Sequence, residues 1–173
     1  MNIVLIGYMG CGKSTVARYL SNILDVESMD LDAFIERQEG KTISSLFNDK
    51  GEIYFRKKES LYLKDLLHVD RPKILALGGG TPCYGNNINI IKNHSKSKSF
   101  YLKTPISVLV DRLRKEKEKR PLISHIQTDD DLMEFVGKHL FERTPFYMQS
   151  DYIIETGSKS VKDIGEAIVG CLF

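Results

Sequence analysis

Gly7-Tyr8-Met9-Gly10-Cys11-Gly12-Lys13-Ser14-Thr15 places a lysine and two hydroxyls directly behind a glycine-rich turn and fits G-x-x-x-x-G-K-[ST]. In such a loop the backbone N–H groups, here Gly10, Cys11, Gly12, Lys13, Ser14 and Thr15, converge with the positive end of the next helix on phosphate oxygens. Lys13 is set to reach β- and γ-phosphates, and the Ser14 hydroxyl to hold Mg²⁺. The ligand this chemistry fits is a nucleoside triphosphate with Mg²⁺ as cofactor. Two carboxylates follow in Met29-Asp30-Leu31-Asp32. Asp32 can orient an attacking hydroxyl or take its proton, and Asp30 can bind Mg²⁺ through a water. Either aspartate can also cap the helix that follows. Gly78-Gly79-Gly80 is costly in backbone entropy unless something must come close, so these residues read as backbone contacts to a ligand. Between Arg112 and Arg120 six basic residues stand against two acidic ones. Such a run is usually a solvated helix end, but beside a triphosphate it makes Arg120 a candidate phosphate ligand.

Two absences narrow the reaction. The apolar run Lys73–Leu77 ends in the glycine triplet with no acidic residue to activate water, and no Asn-Lys-x-Asp motif for guanine occurs. Transfer of a phosphoryl group to a bound acceptor is favoured over hydrolysis.

These residues need elements to hold them. Apolar runs predict strands at Asn2–Ile6, Val26–Met29, Lys73–Leu77, Ser99–Leu102 and Tyr152–Ile154. Helical spacing predicts helices at Lys13–Leu24, Leu31–Gln38, Ile53–Leu67, Asn87–Lys92, Pro105–Lys115, Asp129–Tyr147 and Val161–Leu172. Alternation of this kind implies an α/β fold with a parallel sheet covered on both faces and ligands beyond the C-terminal strand ends. Leu122–Thr128 is polar without periodicity and reads as a mobile flap.

Composition agrees. A chain of 173 residues, 42% apolar and 28% charged, suits one globular domain. No apolar run approaches the roughly 20 residues of a membrane span, and the start carries no basic leader. A net charge of +2 is too small to imply nucleic-acid binding, and three scattered cysteines suit a reducing compartment. The expectation is a cytoplasmic protein with no membrane or nucleic-acid partner.

The chain resembles shikimate kinases. The P-loop, Asp30-x-Asp32, Gly40-x-x-Ile43-x-x-Leu46-Phe47-x-x-x-Gly51, Phe55-Arg56, the glycine triplet, Arg120-Pro121-Leu122 and Arg143-x-Pro145-x-Tyr147 follow that family's order and approximate spacing. The resemblance implies a three-layer α/β/α P-loop kinase fold of the nucleoside-monophosphate-kinase type. Its five parallel strands would run in the order 2-3-1-4-5 under a mobile lid. It implies one domain over residues 1–173, with an acceptor-binding helical segment at about 31–62 and a lid at about 112–128. The implied reaction is transfer of the ATP γ-phosphate to the 3-hydroxyl of shikimate, on the route to chorismate and aromatic amino acids, by a monomer. Lys13, Asp32 and Arg120 would be catalytic. Arg56 and Arg143 would clamp the shikimate carboxylate, with Gly79 adding a backbone contact, and Arg120 would swing onto the ATP phosphates. Lys159 is a candidate for the adenine side. Two other readings share the P-loop: a kinase for gluconate or a nucleoside monophosphate, and a catalytically silent nucleotide-binding module. Neither accounts for all of Lys13, Asp32, Arg56, Arg120 and Arg143.

Three further features carry smaller expectations. Cys11, beside Lys13 at a helix start, is expected to be thiolate-like and open to alkylation, with protection by ATP. Thr128 before Asp129-Asp130-Asp131 reads as a helix cap rather than a cation site. His68, His94, His125 and His139 read as surface or helix positions without a role.

Overall fold

The computed structural model describes residues 1–172. Five strands, β1 (Asn2–Ile6), β2 (Glu27–Asp30), β3 (Lys73–Ala76), β4 (Ser97–Lys103) and β5 (Tyr152–Glu155), form one sheet in the order β2-β3-β1-β4-β5. All four pairings are parallel. Every residue of the central strands β1 and β3 is buried, as continuous apolar runs in a doubly covered sheet require. The described residues form seven helices: α1 (Lys13–Leu24), α2 (Leu31–Glu39), α3 (Ile43–His68), α4 (Asn87–Lys92), α5 (Ile106–Lys115), α6 (Asp129–Tyr147) and α7 (Val161–Gly170). Helix α1 lies on β1, β2 and β3 and meets α7, which lies on β5; α4 lies on β4. This is the α/β fold and strand order implied by the sequence resemblance.

The sharpest difference from expectation is α3. It starts at Ile43, ten residues ahead of the predicted Ile53, behind a Thr42 cap whose hydroxyl accepts from the Ser45 N–H. Gly51 interrupts it with φ 82° and ψ 167°, values that only glycine adopts without strain. The chain uses Gly40 as a left-handed helix stop and Gly51 as a kink between two helices, within the helical segment at about 31–62 that the resemblance implies. The halves pack through Phe47 and Phe55, whose rings lie 4.8 Å apart. Short 3₁₀ turns at Thr81–Cys83 and Lys117–Lys119 are additions to the predicted elements.

Helix α2 is tied to the second half of α3 by one carboxylate. Glu39 accepts from the phenols of Tyr62 (2.6 Å) and Tyr54 (2.7 Å) and pairs with Lys58 at 3.1 Å. These bonds hold it well below the ordinary carboxylate range, the Tyr62 phenol contributing most. Tyr54 and Tyr62 thus add polar bonds to the core packing expected of them. Thr128 caps α6 by accepting from the Asp131 N–H at 3.1 Å, so the acidic run is a helix start as expected. Between α5 and α6, Ile123 and Ile126 are buried.

Candidate active site

The P-loop leaves β1 at Ile6 and enters α1 at Lys13, with Gly10 and Gly12 at φ 79° and 98°. The loop borders a cavity of about 420 Å³ at the C-terminal strand ends, shared with Asp30, Asp32, Gly78, Gly79, Arg112, Glu116, Arg120 and Lys159. Lys13 Nζ bridges the loop by donating to the carbonyls of Gly7 (2.8 Å) and Tyr8 (3.0 Å). The ammonium is therefore fixed inside the cradle. Gly10, Gly12, Ser14 and Thr15 line the cavity as expected. Cys11 also borders it with Lys13 Nζ 3.7 Å from its sulfur, but the residue is only 2% exposed and its sulfur faces Gly7. That corrects the expectation of ready alkylation: the inward turn that packs the loop removes the thiol from reagents. A second cleft, of about 490 Å³, lies near Met1, Leu67, His68 and His94, away from these residues.

Asp30 serves two directions at once. Its Oδ1 caps α2 by accepting from the Asp32 N–H (3.0 Å) and the Ala33 N–H (3.2 Å). Its Oδ2 accepts from the Ser14 hydroxyl at 3.0 Å. A hydroxyl and a carboxylate oxygen side by side at the phosphate loop are the hard oxygen donors that suit Mg²⁺ bound together with nucleotide phosphates.

The cap also aims Asp32. Burial, then the neighbouring Asp30 and Glu59 charges, push its carboxyl up from 3.8 to about 6, against the pull of Lys13 and Arg56. A carboxylate at that value is ionised at neutral pH and still basic enough to accept a proton from an alcohol under attack. Activity should accordingly fall below pH 6. A free-enzyme base at about 6 leaves roughly one tenth of kcat/KM at pH 5, with the rate returning as pH rises. A pH–rate profile flat from 5 to 8 would take Asp32 out of the proton transfer.

The glycine triplet is the junction of the site. A methyl group on Gly78 would stand 2.8 Å from Asp32 Oδ1, and one on Gly79 3.5 Å from Arg143 Nη1. On Gly80 it would stand 3.1 Å from Arg56 Nη2. Three consecutive residues thus back the three side chains expected to hold the acceptor. Tyr147 locks the turn by donating its hydroxyl to the Gly79 carbonyl at 2.6 Å.

Arg56 is anchored from behind. Its Nη1 donates to Glu59 Oε2 at 2.8 Å, its Nε reaches Glu52 at 3.4 Å, and its guanidinium lies 3.7 Å from the Tyr84 ring centroid. Glu59 is 1% exposed, and its other oxygen accepts from the buried Thr81 hydroxyl at 2.6 Å. A buried carboxylate with both oxygens engaged is a rigid post for the guanidinium. Arg143, on α6, lies with its guanidinium 5.6 Å from the Tyr8 ring centroid. Arg120, just past the second 3₁₀ turn, bonds Glu116 through Nε (2.9 Å) and Nη2 at the cavity wall.

Sequence reasoning missed several of these parts. Arg112 donates to the Gly10 carbonyl at 3.1 Å and brings a second guanidinium to the cavity. It was visible only as one of a basic run. Glu59 stood three residues after Arg56, a helical spacing that read as surface charge.

The shikimate kinase family profile matches residues 9–172. A shikimate kinase from Flavobacterium psychrophilum is 42% identical over 171 residues, 99% of this chain and 98% of the relative. The crystal structure of shikimate kinase from Bacteroides thetaiotaomicron superposes with a TM-score of 0.90 at 32% identity, covering 99% of this chain and 98% of that one. Shikimate kinase from Acinetobacter baumannii, solved in complex with shikimate, gives 0.86 at 32% identity over 99% of this chain and 92% of that one. The chain belongs to the shikimate kinase family.

Proposed function

We propose that this protein transfers the γ-phosphoryl group of ATP to the 3-hydroxyl of shikimate, giving shikimate 3-phosphate and ADP on the route to aromatic amino acids. The observation that carries this reading is the glycine triplet, which gathers one carboxylate and two guanidinium groups beside the phosphate loop. Arg56 and Arg143 grip the acceptor carboxylate, because planar forks match a carboxylate in two bonds each. The grip leaves one hydroxyl in line with the γ-phosphorus, and Asp32 receives its proton as the oxygen–phosphorus bond forms and ADP departs. Lys13 and Arg120 stabilise charge on the transferring group. Ser14 and, through water, Asp30 would hold Mg²⁺, which when bound neutralises the phosphate oxygens.

The segment at about 31–62 carries the acceptor and the stretch at about 112–128 closes over the phosphates, within one domain spanning the chain. The enzyme works as a cytoplasmic monomer with no membrane or nucleic-acid partner. A net charge of +2 gives no basic surface for nucleic acid. Among the described residues no helix is long and apolar enough to cross a membrane.

Coupled measurement of ADP release from MgATP, with shikimate, gluconate and AMP each as acceptor, tests the function. Turnover is expected with shikimate alone; its absence there discards the reading. Arg56→Lys should raise the KM for shikimate by roughly 10- to 100-fold with a smaller change in kcat, since a point charge replaces a fork that is worth about 1.5–3 kcal/mol. Unchanged kinetics would remove Arg56 from the acceptor pocket.

A further inference from the structure

Tyr8 and His139 form a contact that the reaction scheme does not use. Tyr8 is the first residue after Gly7 in the phosphate loop and is 1% exposed. Its hydroxyl lies 3.0 Å from Nδ1 of His139 on α6, 131 positions away in the chain. The Tyr8 phenol is pushed up to about 12 by burial and keeps its proton, so it has one to donate. Burial, then the Arg143 charge, hold His139 below its ordinary value, and in its Nε2–H tautomer the neutral ring accepts the phenol proton at Nδ1. Phe135 closes the other side of the imidazole, with ring centroids 4.4 Å apart. His139 stands one helical turn before Arg143, and Arg143 lies against the ring that His139 holds.

We propose that His139 is a positioning residue: through the Tyr8 hydroxyl it fixes the aromatic platform that sets the Arg143 guanidinium for the acceptor carboxylate. Helix α6 thereby supplies both the arginine and the bond that aligns its support, and the phosphate loop supplies the ring between them. The loop's own grip on Lys13 is separate, because it uses the Tyr8 carbonyl. The inference rests on reading Arg143 as a ligand of the acceptor carboxylate.

Steady-state kinetics of Tyr8→Phe, His139→Leu, the double variant and His139→Asn test it. Tyr8→Phe and His139→Leu should each raise the KM for shikimate about fivefold, the factor that one hydrogen bond is worth, with kcat and the KM for ATP within about twofold. The double variant should match the single ones, because both remove the same bond. His139→Asn, whose amide oxygen can accept from the phenol, should recover most of the affinity. An unmoved shikimate KM, a change carried by kcat or by ATP, or additive losses in the double variant would each overturn the proposal. Wild-type enzyme inert toward shikimate would remove the function and this inference together; normal wild-type turnover with unaffected variants would remove the inference alone.

Discussion

Asp32→Asn should lower kcat by roughly 10²- to 10⁴-fold while the KM for shikimate stays within about threefold. The amide fills the same space and can still hydrogen-bond a hydroxyl, but it cannot receive a proton. The backbone that presents it is unchanged, because the cap on α2 uses the Asp30 carboxylate and the residue-32 N–H. Stability provides the control. The Asp32 carboxyl titrates at about 6 in the folded chain against an ordinary 3.8, so the fold favours its neutral form. That preference contributes fully in acid and is lost as pH rises through 6, which leaves the ionised group costing about 3 kcal/mol at pH 8. The asparagine variant should therefore melt higher than wild type at pH 8, with the gap closing towards pH 4. An inactive variant that melts higher has lost chemistry rather than structure. Equal losses in kcat and in shikimate affinity would show instead that Asp32 only holds the acceptor.

Arg120→Ala should reduce kcat by about 10³-fold, the low end of what a mobile arginine contributes to phosphoryl transfer, with the KM for shikimate nearly unchanged. In the structure this guanidinium rests on Glu116 at the cavity wall. The pair is partly exposed, and such pairs contribute at most about 1 kcal/mol. A phosphate ligand outcompetes that easily, so Glu116 parks the arginine without trapping it. Arg120→Lys should recover only part of the rate, since the lysine keeps the charge but loses the planar fork. The reading of Arg120 as a phosphate ligand fails if Arg120→Ala raises the shikimate KM and spares kcat.

Most of the phosphate side was legible because its signals are local. The P-loop is contiguous, its strand and helix flank it, and Asp30-x-Asp32 follows the next strand directly. The proposed acceptor side rests on family resemblance alone. Arg56 and Arg143 are separated by 87 positions, and each alone looks like a surface charge. What joins them is the glycine triplet, whose spatial partners no periodicity reveals. Periodicity alone starts the helix at Ile53, because Gly40 and Gly51 interrupt the pattern before it, one stopping a helix and the other bending one. Glu59 and His139 escaped for a related reason. Polar residues on a helix are assigned to solvent unless a partner is visible, and their partners Thr81 and Tyr8 lie far off in the chain.

A Cβ added at Gly78, Gly79 or Gly80 would stand 2.8 Å from Asp32 Oδ1, 3.3 Å from the Met9 backbone nitrogen and 3.1 Å from Arg56 Nη2 in turn. An inhibitor that leans on the peptide groups of this turn would face a surface with few routes to resistance. A side chain at Gly78 would press on the Asp32 carboxylate, one at Gly79 on the backbone of the phosphate loop, and one at Gly80 on the Arg56 guanidinium.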